Sequence, residues 1–261
     1  MRGPPKLDYR GLGRGSGTMN VASLTPPVWA PTAPTREKPR LRGWVHFMAA
    51  PLALAASIVL VVLAPTTGLK WASAAYLASS FILFGMSALY HLFYWDPRVG
   101  VVLRRLDHSN IFLLIAGTYT PITVGVLTGS SRMILLSVVW VGAIAGILIS
   151  VFWIDAPRWL TTAIYVALGW VAIWYLPELW QKGGAALVWL LVAGGALYTV
   201  GALAYASKKP NPWPEWFEFH EVFHTFTVLA WACQCVAHCS PRPRRHPPTT
   251  RRPLARRWHH R

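Results

Sequence analysis

Residues 133–154 read MILLSVVWVGAIAGILISVFWI and carry no ionisable side chain. As a helix this stretch rises about 1.5 Å per residue and reaches roughly 33 Å, enough to cross the ~30 Å hydrocarbon core of a bilayer. Six more apolar blocks share the pattern, at about 44–64, 71–95, 107–127, 160–176, 185–205 and 219–237. In lipid every backbone polar group must be satisfied internally, so unbroken apolar runs of this length mean helices. The predicted fold is therefore an all-α membrane protein, a seven-transmembrane helical bundle over residues 44–238. Pro51 and Pro121 fall inside two spans, where neighbouring helices can mask the lost hydrogen bond. Gly142 and Gly146 form a small-xxx-small pair that predicts a close helix contact.

Composition agrees. Apolar residues make up 54% of the 261-residue chain and charged residues only 13%, about half the share in a soluble domain. Mean hydropathy is +0.38. The balance of 25 Lys and Arg against 9 Asp and Glu gives +16. The apolar mass excludes a disordered nucleic-acid-binding tail protein, and no nucleic-acid partner is expected. Membrane lipids are the expected partners, and the cell membrane the expected location. Cys233, Cys235 and Cys239 are an odd cluster that forms no disulfide framework and no zinc-finger spacing.

Two basic ends flank the spans. Residues 1–43 are rich in Pro, Gly and Arg without apolar periodicity and predict a disordered arm. The alternating glycines at 11, 13, 15 and 17 follow no strand, so they are low-complexity sequence rather than a phosphate loop. No apolar stretch near the start suggests a cleaved signal peptide, and Met19 is an alternative start.

Lys and Arg in the short loops set the orientation. Arg98, Arg104, Arg105, Arg158, Lys208 and Lys209 follow the even helices, against Lys70, Arg132 and Lys182 after the odd ones. Arg36, Lys38, Arg40 and Arg42 precede the first span. This predicts a cytoplasmic N-terminus and a C-terminus outside. The Arg/Pro-rich tail, residues 239–261, disagrees, because it carries eight Arg on the outer side. Either the orientation is wrong, or late charges fail to flip the bundle, or the segment is shifted-frame sequence.

Ionisable residues inside spans cost roughly 2.5–3.5 kcal/mol at a helix centre, so each needs a reason. His46, His91, Asp107, His108, His220 and His224 are all expected at the cytoplasmic leaflet level, brought there by four helices. His220 and His224 are one turn apart on one face, as two imidazoles on one metal require. Ser87 and His91 share that spacing. Three neutral imidazoles, His91, His220 and His224, with one water would complete a tetrahedral zinc site with an open position. Three nitrogen ligands favour zinc over magnesium or calcium. Zinc can bring the water's pKa to about 7. Asp107 is then the candidate general base or water acceptor, and Ser87 the candidate donor to a developing oxyanion. His46 is a candidate supporting residue. His108 should point about 100° from Asp107 and is left out. Glu218 and Glu221 are expected to be solvated, and His238, at the far end of its helix, unrelated. The competing reading is histidines that meet headgroups at the membrane boundary.

Ser87-Ala-Leu-Tyr-His91, Arg104-Arg-Leu-Asp107-His108 and His220-Glu-Val-Phe-His224 resemble, in order, the three signature segments of the hemolysin III family. That family is the bacterial branch of the progestin and adipoQ receptor membrane proteins. The resemblance covers residues 36–237, and Gly117-Thr-Tyr-Thr-Pro121 fits as well. It implies a seven-helix bundle with an intramembrane zinc near the cytoplasmic face, held by His91, His220 and His224 with Asp107 and Ser87 beside them. Many members carry a Glu-x-x-Asn segment about seven residues before the first-helix His; here Glu37 lies nine before His46 and the Asn is absent. Related ceramidase-like proteins suggest a zinc-dependent hydrolase of lipid amides or esters. The alternatives are a receptor-like or membrane-homeostasis protein with structural zinc, or a channel or cytolytic protein.

Overall fold

The computed structural model describes residues 38–153 and 156–239. Among these residues seven helical stretches are long and apolar enough to cross a membrane. No strand forms among them; a single bridge joins Trp213 and Phe217. The helices are α1 (Trp44–Leu63), α2 (Thr67–Leu92), α3 (Pro97–Val126), α4 (Gly129–Phe152), α5 (Arg158–Gly169), α6 (Leu176–Gly183), α7 (Ala185–Ser207) and α8 (Phe219–Cys239). A 3₁₀ turn, Val171–Tyr175, joins α5 to α6, and the three pieces make one span, Arg158–Gly183. Successive spans pack side by side, and α8 closes on α1. The third span is the most enclosed, with 67% of its apolar window buried against 17% for the fifth. It therefore forms the interior wall on which the others assemble.

Local chemistry sets the ends. Thr66 caps α2, its hydroxyl accepting from the Leu69 N–H at 3.3 Å. Asp96 caps α3, accepting from the Arg98 N–H at 2.9 Å, with Pro97 in the first turn where its missing N–H costs nothing. The third helix consequently begins ten residues before the predicted position at 107. Arg98, Arg104 and Arg105 depress the hydropathy of those turns without preventing helix.

The fifth span also differs from the expected 160–176. It runs further and is interrupted. Tyr119 of α3 holds the break: its hydroxyl donates to the Gly169 carbonyl at 2.6 Å and accepts from the Ala172 N–H at 3.0 Å. Backbone groups freed inside the bundle are thereby satisfied by a neighbouring side chain, as lipid requires.

Close approaches fall at particular glycines. A Cβ on Gly117 would stand 1.9 Å from Ser79 Oγ, so α2 and α3 touch there. Gly142 and Gly146 do mark contacts, but with two partners rather than one: Leu168 of α5 faces Gly142 and Phe112 of α3 faces Gly146. Cys235 packs in the core, Cys233 is half-buried and Cys239 exposed, all three as free thiols.

Residues 38–43, expected to belong to the basic arm, are among the described residues and are ordered against the bundle. Residues 40 and 41 donate backbone hydrogen bonds to the carbonyls of Glu215 (3.0 Å) and Trp216 (3.2 Å), which ties the chain before α1 to the loop before α8. Glu37, residues 1–36 and the tail 240–261 lie outside the described residues.

Candidate metal centre

Helices α2, α3 and α8 bring three imidazoles and a carboxylate together at the end of the bundle where α1 begins. One ring nitrogen from each of His91, His220 and His224 lies within 4.8 Å of the others, and the three are buried together. His91 Nε2 and His220 Nε2 stand 3.1 Å apart. Two ligands on a tetrahedral zinc with bonds of about 2.0–2.1 Å lie about 3.3 Å apart. The pair is thus spaced as two ligands of one small cation are. The His220–His224 centroid separation of 4.5 Å follows from their one-turn spacing on α8. The donor set, three buried nitrogens and no thiolate, suits zinc among the common ions.

The sequence-predicted neighbours are in place. Asp107 Oδ2 is 3.5 Å from His91 Nε2. Ser87, one turn before His91 and buried, stands beside the same carboxylate. Asp107 lies three turns inside α3 rather than at its start, because the helix begins at Pro97. His46 stacks on His224 with centroids 3.7 Å apart and ring planes 10° from parallel, and it lies outside the three-histidine group. His108 is also outside that set. His238 sits at the opposite end of α8, its Nε2 3.2 Å from the Thr118 carbonyl oxygen.

Glu218 and Glu221 were expected to be solvated, and the structure buries both. Arg42 reaches across from the segment before α1 and forms ion pairs with each carboxylate, at 3.3 Å to Glu218 Oε2 and with Glu221 Oε1. Glu221 Oε2 accepts from the Glu218 N–H at 2.8 Å, a capping arrangement at the first turn of α8. The two acids therefore hold the turn that carries His220. The spacing Glu218-x-x-Glu221 before an apolar run was the available signal.

Gly43 completes the contact. Its φ is +86°, and a Cβ there would meet His91 Cβ at 2.9 Å. The chain can pass this close to His91 only without a side chain. Outside the spans, Lys38 donates to the Phe93 carbonyl at 2.9 Å. Burial, and secondarily the Arg42 charge, pull its ammonium below the ordinary lysine range.

A cavity of about 140 Å³ opens from this cluster into the bundle. His46, Ser87, Asp107, His220 and His224 line its head. Most of its remaining wall is apolar, with Leu114, Ile122, Leu135 and Leu179 among the lining residues.

The family model described as haemolysin-III related matches residues 35–235, which include every residue of the cluster. The chain belongs to the haemolysin-III-related family. Among curated proteins it is similar to Hemolysin-3 of Bacillus cereus, 34% identical over 186 residues that cover 70% of this chain and 82% of that protein. The Hemolysin-3 homolog of Bacillus subtilis is 32% identical over 193 residues, covering 70% and 84%. A more distant likeness is to the adiponectin receptor protein of Drosophila melanogaster, 27% identical over 174 residues, 60% of this chain and 39% of that one. Members of the haemolysin-III-related family and the adiponectin receptor thus share sequence with a seven-span bundle that carries a three-histidine group at one end.

Proposed function

We propose that this membrane protein holds zinc on His91, His220 and His224 and hydrolyses an amide or ester of a membrane lipid. The observation that carries the reading is continuity. His220 and His224 stand at the head of a cavity whose deeper wall is mainly apolar, so a lipid carbonyl can reach them while its chain stays out of water. When bound, zinc would polarise a carbonyl and make water acidic enough to react at neutral pH. Asp107, on the cavity wall beside His91, accepts the proton of the attacking water and returns it to the amine or alcohol that leaves as the C–N or C–O bond of the lipid breaks. Ser87 donates a hydrogen bond to the oxygen on which charge develops. His46 steadies the His224 ring by stacking, and the apolar wall excludes competing water.

The same reading puts the cluster at the cytoplasmic leaflet of the cell membrane, with the N-terminus inside. The basic loops there attract anionic headgroups at about 1 kcal/mol per charge. In the second reading zinc is structural, in a receptor-like or homeostasis protein. The cavity contact with Asp107 and Ser87 favours chemistry over that reading. A channel or cytolytic pore would need a continuous polar lining, and the mainly apolar wall argues against it.

The test is product release from a panel of lipid amides and esters by the purified protein in nanodiscs. Wild type is expected to turn over, and Asp107→Asn to keep its metal and lose turnover. Folded, zinc-loaded wild type that releases no product from any of them overturns the hydrolase reading.

A further inference from the structure

Deeper in the same cavity, away from the histidines, three lining residues carry buried polar atoms without hydrogen-bond partners in the protein: Thr123 on α3, Tyr198 on α7 and Gln234 on α8. The Tyr198 hydroxyl and the Gln234 Oε1 are both buried, and both residues line the cavity. An unsatisfied buried polar group costs about 1–3 kcal/mol. Tyr198 and Gln234, on the neighbouring helices α7 and α8 in a mainly apolar cavity, therefore ask for a ligand.

Counted from the level of His220, the backbone of Gln234 lies about 10 Å deeper than that of Tyr198, and the lean of the two side chains toward each other narrows the gap. Gln234 lies ten residues beyond His224 on α8, about 15 Å along the axis. Side chains tilt toward the N-terminus of their helix, so Gln234 leans back toward the histidines. On α7, which runs the other way, Tyr198 is seven residues before Tyr205, the residue whose ring meets His220 at 5.7 Å. That spacing is about 10 Å, and the ring leans deeper still. Gly194 confirms the convergence. It sits one turn from Tyr198 on the same face, and a Cβ there would stand 2.5 Å from Gln234 Nε2. The amide thus packs against the α7 turn from which Tyr198 projects.

From this we propose that Tyr198 and Gln234 form a second recognition point for a neutral polar group on the lipid chain, such as a hydroxyl. The phenol donates and the amide oxygen accepts, which is the pair one hydroxyl can satisfy at once. Neither group is charged, so the point suits an uncharged substituent. It lies about 15 Å from the imidazoles, half the thickness of the hydrocarbon core. The ligand class is an acyl lipid hydroxylated near mid-chain, bound with its carbonyl end at the histidines. The inference rests on the lipid reading above, and it concerns selection of the chain rather than the reaction.

Binding tests it without turnover. Full-length protein in nanodiscs is titrated with octadecanoic acid, with its mid-chain hydroxylated analogue, and with an analogue hydroxylated at the chain end. The mid-chain analogue is expected to bind about tenfold tighter than the other two. Tyr198→Phe and Gln234→Leu should each erase most of that preference and leave octadecanoic acid binding unchanged. Gly194→Ala, which displaces the Gln234 amide, should do the same. Equal binding of all three probes to wild type means that water alone meets the two groups, and it overturns this inference while the lipid reading stands. Binding of none overturns both.

Discussion

Replacing Arg42 by methionine removes the only cation in ion-pair contact with Glu221 among the described residues and leaves its carboxylate with the Glu218 N–H alone. The Glu221 side chain is 0% exposed and that of Arg42 17%. Breaking a buried pair from one side costs about 3–5 kcal/mol because a charge is left without its partner. The partial exposure of Arg42 and the surviving hydrogen bond put Arg42→Met near the lower end, about 3 kcal/mol. For a chain of this size that lowers the unfolding midpoint by about 6–12 °C. Glu221→Gln in the same chain removes the stranded charge and keeps an acceptor for the Glu218 N–H. The double variant should therefore recover at least half of the loss. The assay is thermal unfolding of detergent-purified protein for wild type, both single variants and the double variant. Simple addition of the single effects, or an Arg42→Met midpoint equal to wild type, would refute a coupled buried pair.

Gly43→Ala forces a side chain into a left-handed backbone and against His91, so it should lower metal occupancy along with stability by about 1–2 kcal/mol; metal analysis beside a melt checks it. Gly117→Ala pushes on Ser79 where α2 meets α3 and should cost about 1–3 kcal/mol by thermal unfolding, with metal content unchanged in the folded fraction. His46→Phe keeps an aromatic ring on His224 but removes both nitrogens, and zinc stoichiometry should remain that of wild type; loss of zinc would make His46 a ligand.

The spans were legible because apolar runs of this length have few alternatives in lipid. Hydropathy misread the start of α3, where three arginines sit on turns already begun by the Asp96 cap and Pro97. It also missed the break in the fifth span, which depends on Tyr119 from another helix. The histidine cluster was legible through depth: His91, His220 and His224 sit at matching ends of α2 and α8, whereas Asp107 joins them from three turns inside α3. The burial of Glu218 and Glu221 was not legible, since it depends on Arg42, 176 positions from Glu218. Local sequence shows two acids at a membrane boundary, and only the folded chain brings in their counter-charge. His46 was visible as a polar residue in a span, but its stacking on His224 required the α1–α8 contact that closes the ring.

The most direct test of the account is the metal content of purified wild type beside His220→Ala. The account predicts about one zinc per chain in wild type and its loss in the variant. Folded wild type without zinc, or a His220→Ala variant that keeps it, would contradict the three-histidine centre.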